Sequence, residues 1–186
     1  MNDDPDSSST GCPQFTIALT VLTPVWHEAL PDAEGLARRA ARGALAVAPI
    51  SAADAGETEL SLVLADDATV HRLNRDYRGQ DRPTNVLSFA AESDADPRDA
   101  GPRLLGDVVL SYDTLAREAG EQGKSLAGHL SHLVVHGVLH LLGYDHVSEA
   151  ETARMERIET AVLADLGISD PYAPAAPGTA RCAELG

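Results

Sequence analysis

Residues 132–146 read HLVVHGVLHLLGYDH, four histidines in fifteen positions. Extended back to Ser125, the segment 125–142 is the most apolar of the chain and reads as its central helix, stopped by Gly143. On that helix His129, His132, His136 and His140 fall at offsets 0, 3, 7 and 11 and form one stripe. Histidines four apart sit one above the other, so two of them can meet one cation at about 2.0–2.1 Å per bond. His132 and His140 are two turns apart, ~12 Å of rise, and cannot share an ion. Gly143 lets the chain fold back after His140, which brings His146 nearest that end. The best single-ion set is therefore His136, His140 and His146.

Three neutral imidazoles leave a fourth position open, the layout of a catalytic rather than a closed structural zinc. Nickel or copper suits the same ligands. His132 reads as a supporting partner in the stripe, and His129, a turn further off, as a plainer helix residue. His27 and His71 carry no positional case. Asp145 is either a carboxylate that orients His146 or a turn aspartate, and Tyr144 reads as packing. The zinc-peptidase motif H-E-x-x-H places its general base directly after the first histidine. Here that position is Gly137, so a metallopeptidase would lack its proton carrier.

Outward from this helix, residues 15–22 read as a strand, and Asp32 as the cap of a helix over 33–48. That helix has Leu36, Ala40 and Leu45 on one side and Arg38, Arg39 and Arg42 toward solvent. Residues 57–65 alternate polar and apolar, a strand with one wet face. Residues 66–78 open on capping aspartates and carry Val70, Leu73 and Tyr77 at helical spacing, with Gly79 as the stop. Strands at 84–90 and 104–111 flank an acidic loop, 91–103, and a short helix follows from Tyr112 to Gly120 or Gly123. Residues 148–167 form an amphipathic helix with Ser148 as cap and Glu151 at the capping-box position. The pattern is α+β: a mixed sheet of about four strands packed with helices around a central His-bearing, zincin-like helix. One domain is expected over 15–168, between a disordered polar leader, 1–14, and a disordered tail, 169–186.

A chain of 186 residues fits one domain, and 44% apolar with 23% charged residues is ordinary for a soluble one. No run of about 18 apolar residues exists to span a membrane. The acidic N-terminus lacks the basic and apolar regions of a secretory signal, and Cys12 and Cys182 make no disulfide framework, so the cytoplasm is the expected compartment. A net charge of −15 is the wrong sign for a nucleic-acid binder, so any such role must rest on a local patch. The most basic segment, HRLNRDYRGQDR at 71–82, holds four arginines against two aspartates. Arg78 within it offers a fork of donors suited to phosphate, or else pairs with Asp76 or Asp81. Thr84 and Asn85 read as turn residues.

Together these blocks resemble a known family. HGVLHLLGYDH, 136–146, closely resembles the metal motif of the YbeY family of bacterial metal-dependent endoribonucleases. YRGQDRPTNVLSF, 77–89, resembles its second signature, GDVVLS, 106–111, its third, and MERIE, 155–159, its glutamate-bearing final helix. The blocks stand in the family's order and, with their linking elements, cover roughly residues 15–168. The resemblance implies an α+β fold with one zinc on His136, His140 and His146, and a functionally important arginine at Arg78. It implies hydrolysis of single-stranded RNA in 3′-end maturation of 16S rRNA and in ribosome quality control. The small ribosomal subunit or its proteins would be partners, with no DNA and no membrane. In such a site the metal polarises a phosphoryl oxygen and Arg78 holds the phosphate. The general base stays open among a second water, the RNA 2′-OH and His132. Given the net charge, docking on a ribosomal protein is expected to deliver the enzyme to RNA. The competing reading is a non-catalytic ribosome-assembly factor with a structural metal site, consistent with the unnamed base and the acidic surface.

Overall fold

The computed structural model describes residues 15–47, 57–91 and 103–173. The polar leader, residues 92–102 of the acidic loop, residues 174–186 of the tail, and both cysteines lie outside the described residues. In chain order the elements are β1 (Phe15–Val21), α1 (Val25–Ala29), α2 (Ala33–Ala46), β2 (Thr58–Ala65), α3 (Asp67–Arg78), β3 (Val86–Ala90), β4 (Arg103–Ser111), α4 (Tyr112–Glu121), α5 (Leu126–Leu141) and α6 (Glu149–Asp165).

The fold is α+β. Its four strands form one mixed sheet in the order β1-β2-β4-β3. β1, β2 and β4 run parallel, and β3 lies antiparallel to β4 at the sheet's edge. Alternation along β2 sends Leu60, Leu62 and Leu64 to one face, where all three are buried. That face carries the main core, shared with α2 and α5. α2 contributes Ala33, Ala37, Ala40, Ala41 and Ala44, short side chains that allow close helix packing, together with Leu45. The opposite face holds a smaller cluster of Ala65, Val70, Leu87 and Val109 under α3.

α5 is the central helix that its composition predicts. Leu130, Val134, Val135, Val138 and Leu139 are all fully buried in the main core. Ser125 caps it by accepting from the Gly128 N–H at 3.0 Å. Its closest approach to the sheet is at Gly137. A Cβ there would stand 2.7 Å from Val108 Cγ1 and 3.1 Å from Ser88 Oγ. The Ser88 hydroxyl donates to the Gly137 carbonyl at 3.1 Å, tying edge strand to helix. Any side chain after His136, the peptidase glutamate included, would press on Val108 and Ser88.

Several local features depart from the sequence pattern. Asp32 stands at the start of α2 but makes no cap; its carboxylate takes Arg39 Nη2 at 2.8 Å. Arg38, expected in solvent, donates to the Ile17 carbonyl of β1. β3 begins at Val86, because Asn85 Oδ1 accepts the Val86 N–H at 2.7 Å and holds residues 84–85 in a turn. α1 is five residues long, too short to show a period. It serves to bury Trp26, whose Nε1 donates to the Ala65 carbonyl at 2.9 Å and whose ring meets Tyr112 edge-on. The capping box of Ser148 and Glu151 forms as its motif predicts. No helix among the described residues is long and apolar enough to cross a membrane.

Mid-helix glycine to alanine ordinarily stabilises a helix by about 1 kcal/mol. Gly137→Ala is expected to do the reverse, costing about 1–3 kcal/mol by overpacking against Val108. Urea unfolding checks the sign: a variant as stable as wild type or more so would mean that α5 and β4 can move apart freely.

Candidate metal centre

His136 and His140, one turn apart on α5, aim their Nε2 atoms at each other across 3.1 Å. α5 then ends in a turn that needs a left-handed residue, and Gly143 supplies it with φ +85°. The Gly143 N–H returns to the His140 carbonyl and the Tyr144 N–H to that of Leu139, each at 3.0 Å. The reversal brings the His146 ring to 4.9 Å from His140 and 5.7 Å from His136, centroid to centroid. One nitrogen from each of the three rings lies within 4.8 Å of the others, so the group could hold a metal ion. Ligands of one tetrahedral ion with bonds of 2.0–2.1 Å stand ~3.3 Å apart. The 3.1 Å between Nε2 atoms matches that separation, so the donor set fits one ion.

The protonation states agree with this geometry. Burial, reinforced by His136 and His146, holds His140 below the usual imidazole range, which keeps it neutral with a free lone pair. His136 turns its other nitrogen, Nδ1, to Glu159 Oε1 at 2.8 Å. Glu159 is fully buried on α6 and also meets His132 Nε2 at 3.2 Å and the Tyr172 hydroxyl. Burial alone would raise its pKa; the hydrogen bonds from His132, His136 and Tyr172 outweigh it and bring the carboxyl down to about 2. An ionised carboxylate can only accept. His136 therefore carries its proton on Nδ1 and presents the Nε2 lone pair toward His140. The sequence reading reaches Glu159 only within MERIE and gives it no role. The available signal is a charge on the buried stripe of α6, which Met155, Val162 and Leu163 otherwise make apolar.

Arg78 is the last residue of α3, and Gly79, at φ +67°, turns the chain away. Its Nη2 donates to the Ser88 carbonyl at 2.8 Å and its guanidinium lies 5.8 Å from the Phe89 ring centre. The aspartates offered as its partners are engaged elsewhere: Asp76 with Arg75 at 2.9 Å, Asp81 with His71 at 2.8 Å. Arg78, Arg82 and the three imidazoles line one cleft of about 970 Å3. Asn74, buried, donates to the Arg82 carbonyl at 2.7 Å and pins the turn that carries it. Two carboxylates line the same cleft, Glu118 and Asp145. Glu118 is gripped by Asn85 Nδ2 at 2.9 Å and His129 Nε2 at 3.1 Å, so Asn85 does more than turn the chain. Asp145 accepts the backbone N–H of His146 at 2.8 Å while standing 4.0 Å from its ring, which makes it a turn residue. His132 faces Glu159 rather than the cleft.

The family model described as endoribonuclease YbeY matches residues 32–167. A protein of Paramagnetospirillum magneticum named endoribonuclease YbeY is 58% identical over 158 residues, 84% of this chain and 94% of that one. Proteins of the same name from Rhodospirillum rubrum and a Bradyrhizobium species are 52% and 48% identical. These alignments span 81% and 85% of this chain, and 78% and 92% of the respective relatives.

Glu159→Gln keeps the shape but offers His136 and His132 a group that can donate as well as accept. For a divalent metal ion at this centre, its expected effect is a 10–100-fold loss of affinity with the fold retained. Competition against a chromophoric chelator, with circular dichroism alongside, measures both; an unchanged affinity would rule out the tautomer lock.

Proposed function

The chain belongs to the endoribonuclease YbeY family, and from that premise we propose that it is a zinc-dependent hydrolase of single-stranded RNA. It acts in maturing the 3′ end of 16S rRNA and in ribosome quality control, in the cytoplasm and in contact with the small ribosomal subunit. A single domain over 15–168, joined by Tyr172 through its hydrogen bond to Glu159, carries the activity. The observation that supports this reading best is one cleft with three convergent imidazoles on one side and Arg78 and Arg82 on the other.

His136, His140 and His146 would hold the ion, which when bound would supply Lewis acidity toward a phosphoryl oxygen and acidify water. Everything else falls to the chain's own groups. Arg78, anchored through Nη2, keeps Nε and Nη1 uncommitted to any described residue and directs them at a phosphate. There it offsets the negative charge that develops as the phosphodiester P–O bond breaks. Hydrolysis needs a proton taken from the attacking water and one given to the leaving ribose oxygen. Glu118 and Asp145 are the carboxylates on the cleft wall within the described residues, and His132 is turned away from it. His146, with half its side chain exposed, leaves the ion reachable from the cleft, which favours a catalytic site over a closed structural one.

The test is cleavage of a single-stranded RNA spanning a 16S 3′ end by wild type, His140→Ala and Arg78→Ala. His140→Ala should be inert, and Arg78→Ala should lose about 10²–10³-fold in kcat/KM. Both should keep wild-type circular dichroism. Chelation should silence the enzyme reversibly without unfolding it. Equal faint cutting by all three proteins, or unfolding on chelation, would hand the case to an assembly factor with a structural metal.

A further inference from the structure

Tyr77 sits on the apolar stripe of α3 with Val70 and Leu73, yet its fate differs from theirs. Val70 is fully buried, while Tyr77 is 72% exposed. Its ring meets Phe89 of β3 edge-to-face, with centroids 5.5 Å apart and planes at 65°. The guanidinium of Arg78 lies 5.8 Å from the same Phe89 centroid, and Arg78 lines the metal cleft. Two aromatic rings and a cation thus form one contiguous surface running out of the cleft over the edge strand. Aromatic residues are scarce in this chain, 4% of the total. Trp26 is spent in the core, and Tyr77 is the most exposed aromatic among the described residues.

We propose that Tyr77, backed by Phe89, is a stacking platform for an unpaired nucleobase next to the phosphate held by Arg78. This deepens the nuclease reading and rests on it. A free base has a π-face to offer whatever its identity, so such a platform binds single strands with little sequence preference. A duplex keeps its bases stacked on one another and has no free face to give, so the platform selects single-stranded RNA. Phe89 packs against the Tyr77 ring at 65° and limits the entropy lost when a base arrives, while the ring's 72% exposure leaves surface free to take the base. Stacking also suits a chain with a net charge of −15. Phosphate contacts weaken steeply with salt through counterion release, whereas stacking on a neutral ring has no such dependence.

The experiment titrates full-length, zinc-loaded protein into a fluorescent, nuclease-resistant 2′-O-methyl phosphorothioate single strand and reads anisotropy across a salt series. Tyr77→Ala is expected to raise Kd about 5–150-fold, the range of one lost base stack. The slope of log Kd against log salt should stay as in wild type. KM for cleavage should rise while turnover at saturating RNA holds. Tyr77→Phe and Tyr77→Trp should restore binding. The new tryptophan should be quenched by the oligonucleotide, with Trp26 buried as an internal reference. A duplex of the same sequence should bind all variants alike. The platform is overturned if Tyr77→Ala binds as wild type, if Phe and Trp fail to rescue, or if the loss appears as a changed salt slope. It is likewise overturned if Tyr77→Ala loses only binding to ribosomal particles, which would make Tyr77 a protein contact. If wild type cuts RNA while any of these holds, only the platform fails; if wild type neither binds nor cuts, the nuclease reading falls with it.

Discussion

The Ser88 hydroxyl fastens the edge strand to the central helix at the one point where that helix has no side chain. Ser88 Oγ donates to the Gly137 carbonyl at 3.1 Å, and Gly137 lies between His136 and His140. The carbonyl of the same serine accepts from Arg78 at 2.8 Å. Imidazoles and guanidinium, brought from α5 and α3, are therefore referenced to one residue of β3. An edge strand with a single hydrogen-bonded neighbour is the least restrained part of a sheet. Here Ser88 is held both by Arg78, which lines the cleft, and by the backbone of α5 between the two histidines. Sites carried on strands and helices hold their geometry better than sites on loops; here Arg78, His136 and His140 stand on helices, while Arg82 and His146 come from turns.

Glu159 shows what the core gives up for the site. A carboxylate with no solvent contact is costly, and an apolar residue of similar volume would often fill the position at no loss of stability. Its three donors offset the cost, but each brings its own constraint. The Nδ1 atom of His132 is buried without a partner among the described residues. The Tyr172 hydroxyl comes from beyond α6, so a segment outside the expected domain boundary reaches the centre. Burial, and then the Glu159 carboxylate, push that hydroxyl's pKa well above the usual tyrosine range, so it remains a donor. A charge retained on an otherwise apolar stripe is the kind of local inconsistency that marks function rather than packing.

Much of this was legible because the period of a helix and the reach of an imidazole are both fixed lengths. The set of His136, His140 and His146 follows from offsets along α5 and one glycine, and the structure brings the same three rings together. Helices α3 and α6 could be read because Asp66, Gly79, Ser148 and Glu151 act on backbone groups within a few residues. What stayed hidden depends on contacts distant in sequence. Nothing near Ser88 announces that Gly137, forty-nine residues on, will accept its hydroxyl. The pairing of Asn85 with Glu118 spans thirty-three residues and that of His136 with Glu159 twenty-three. Strand order was unreadable for the same reason, since β4 inserts between β2 and β3 only in the folded sheet.

The charge distribution constrains how such a chain can take hold of a polyanion. Of the four arginines in 71–82, Arg75 is paired with Asp76, and Arg78 and Arg82 face the cleft. Two phosphate contacts to a single strand would give a salt slope of only about −1.4 in log units, far short of proteins that bind nucleic acid by field alone. At −15 the wider surface repels RNA at long range. On the proposed reading, binding rests on short-range terms: a metal ion on the three imidazoles, the Arg78 guanidinium and the exposed Tyr77 ring. Each acts over a few ångströms and demands an unpaired, flexible strand that can be drawn into the cleft. A repulsive surface around a local attractive site rejects RNA that merely passes, and so contributes to specificity as much as the site itself.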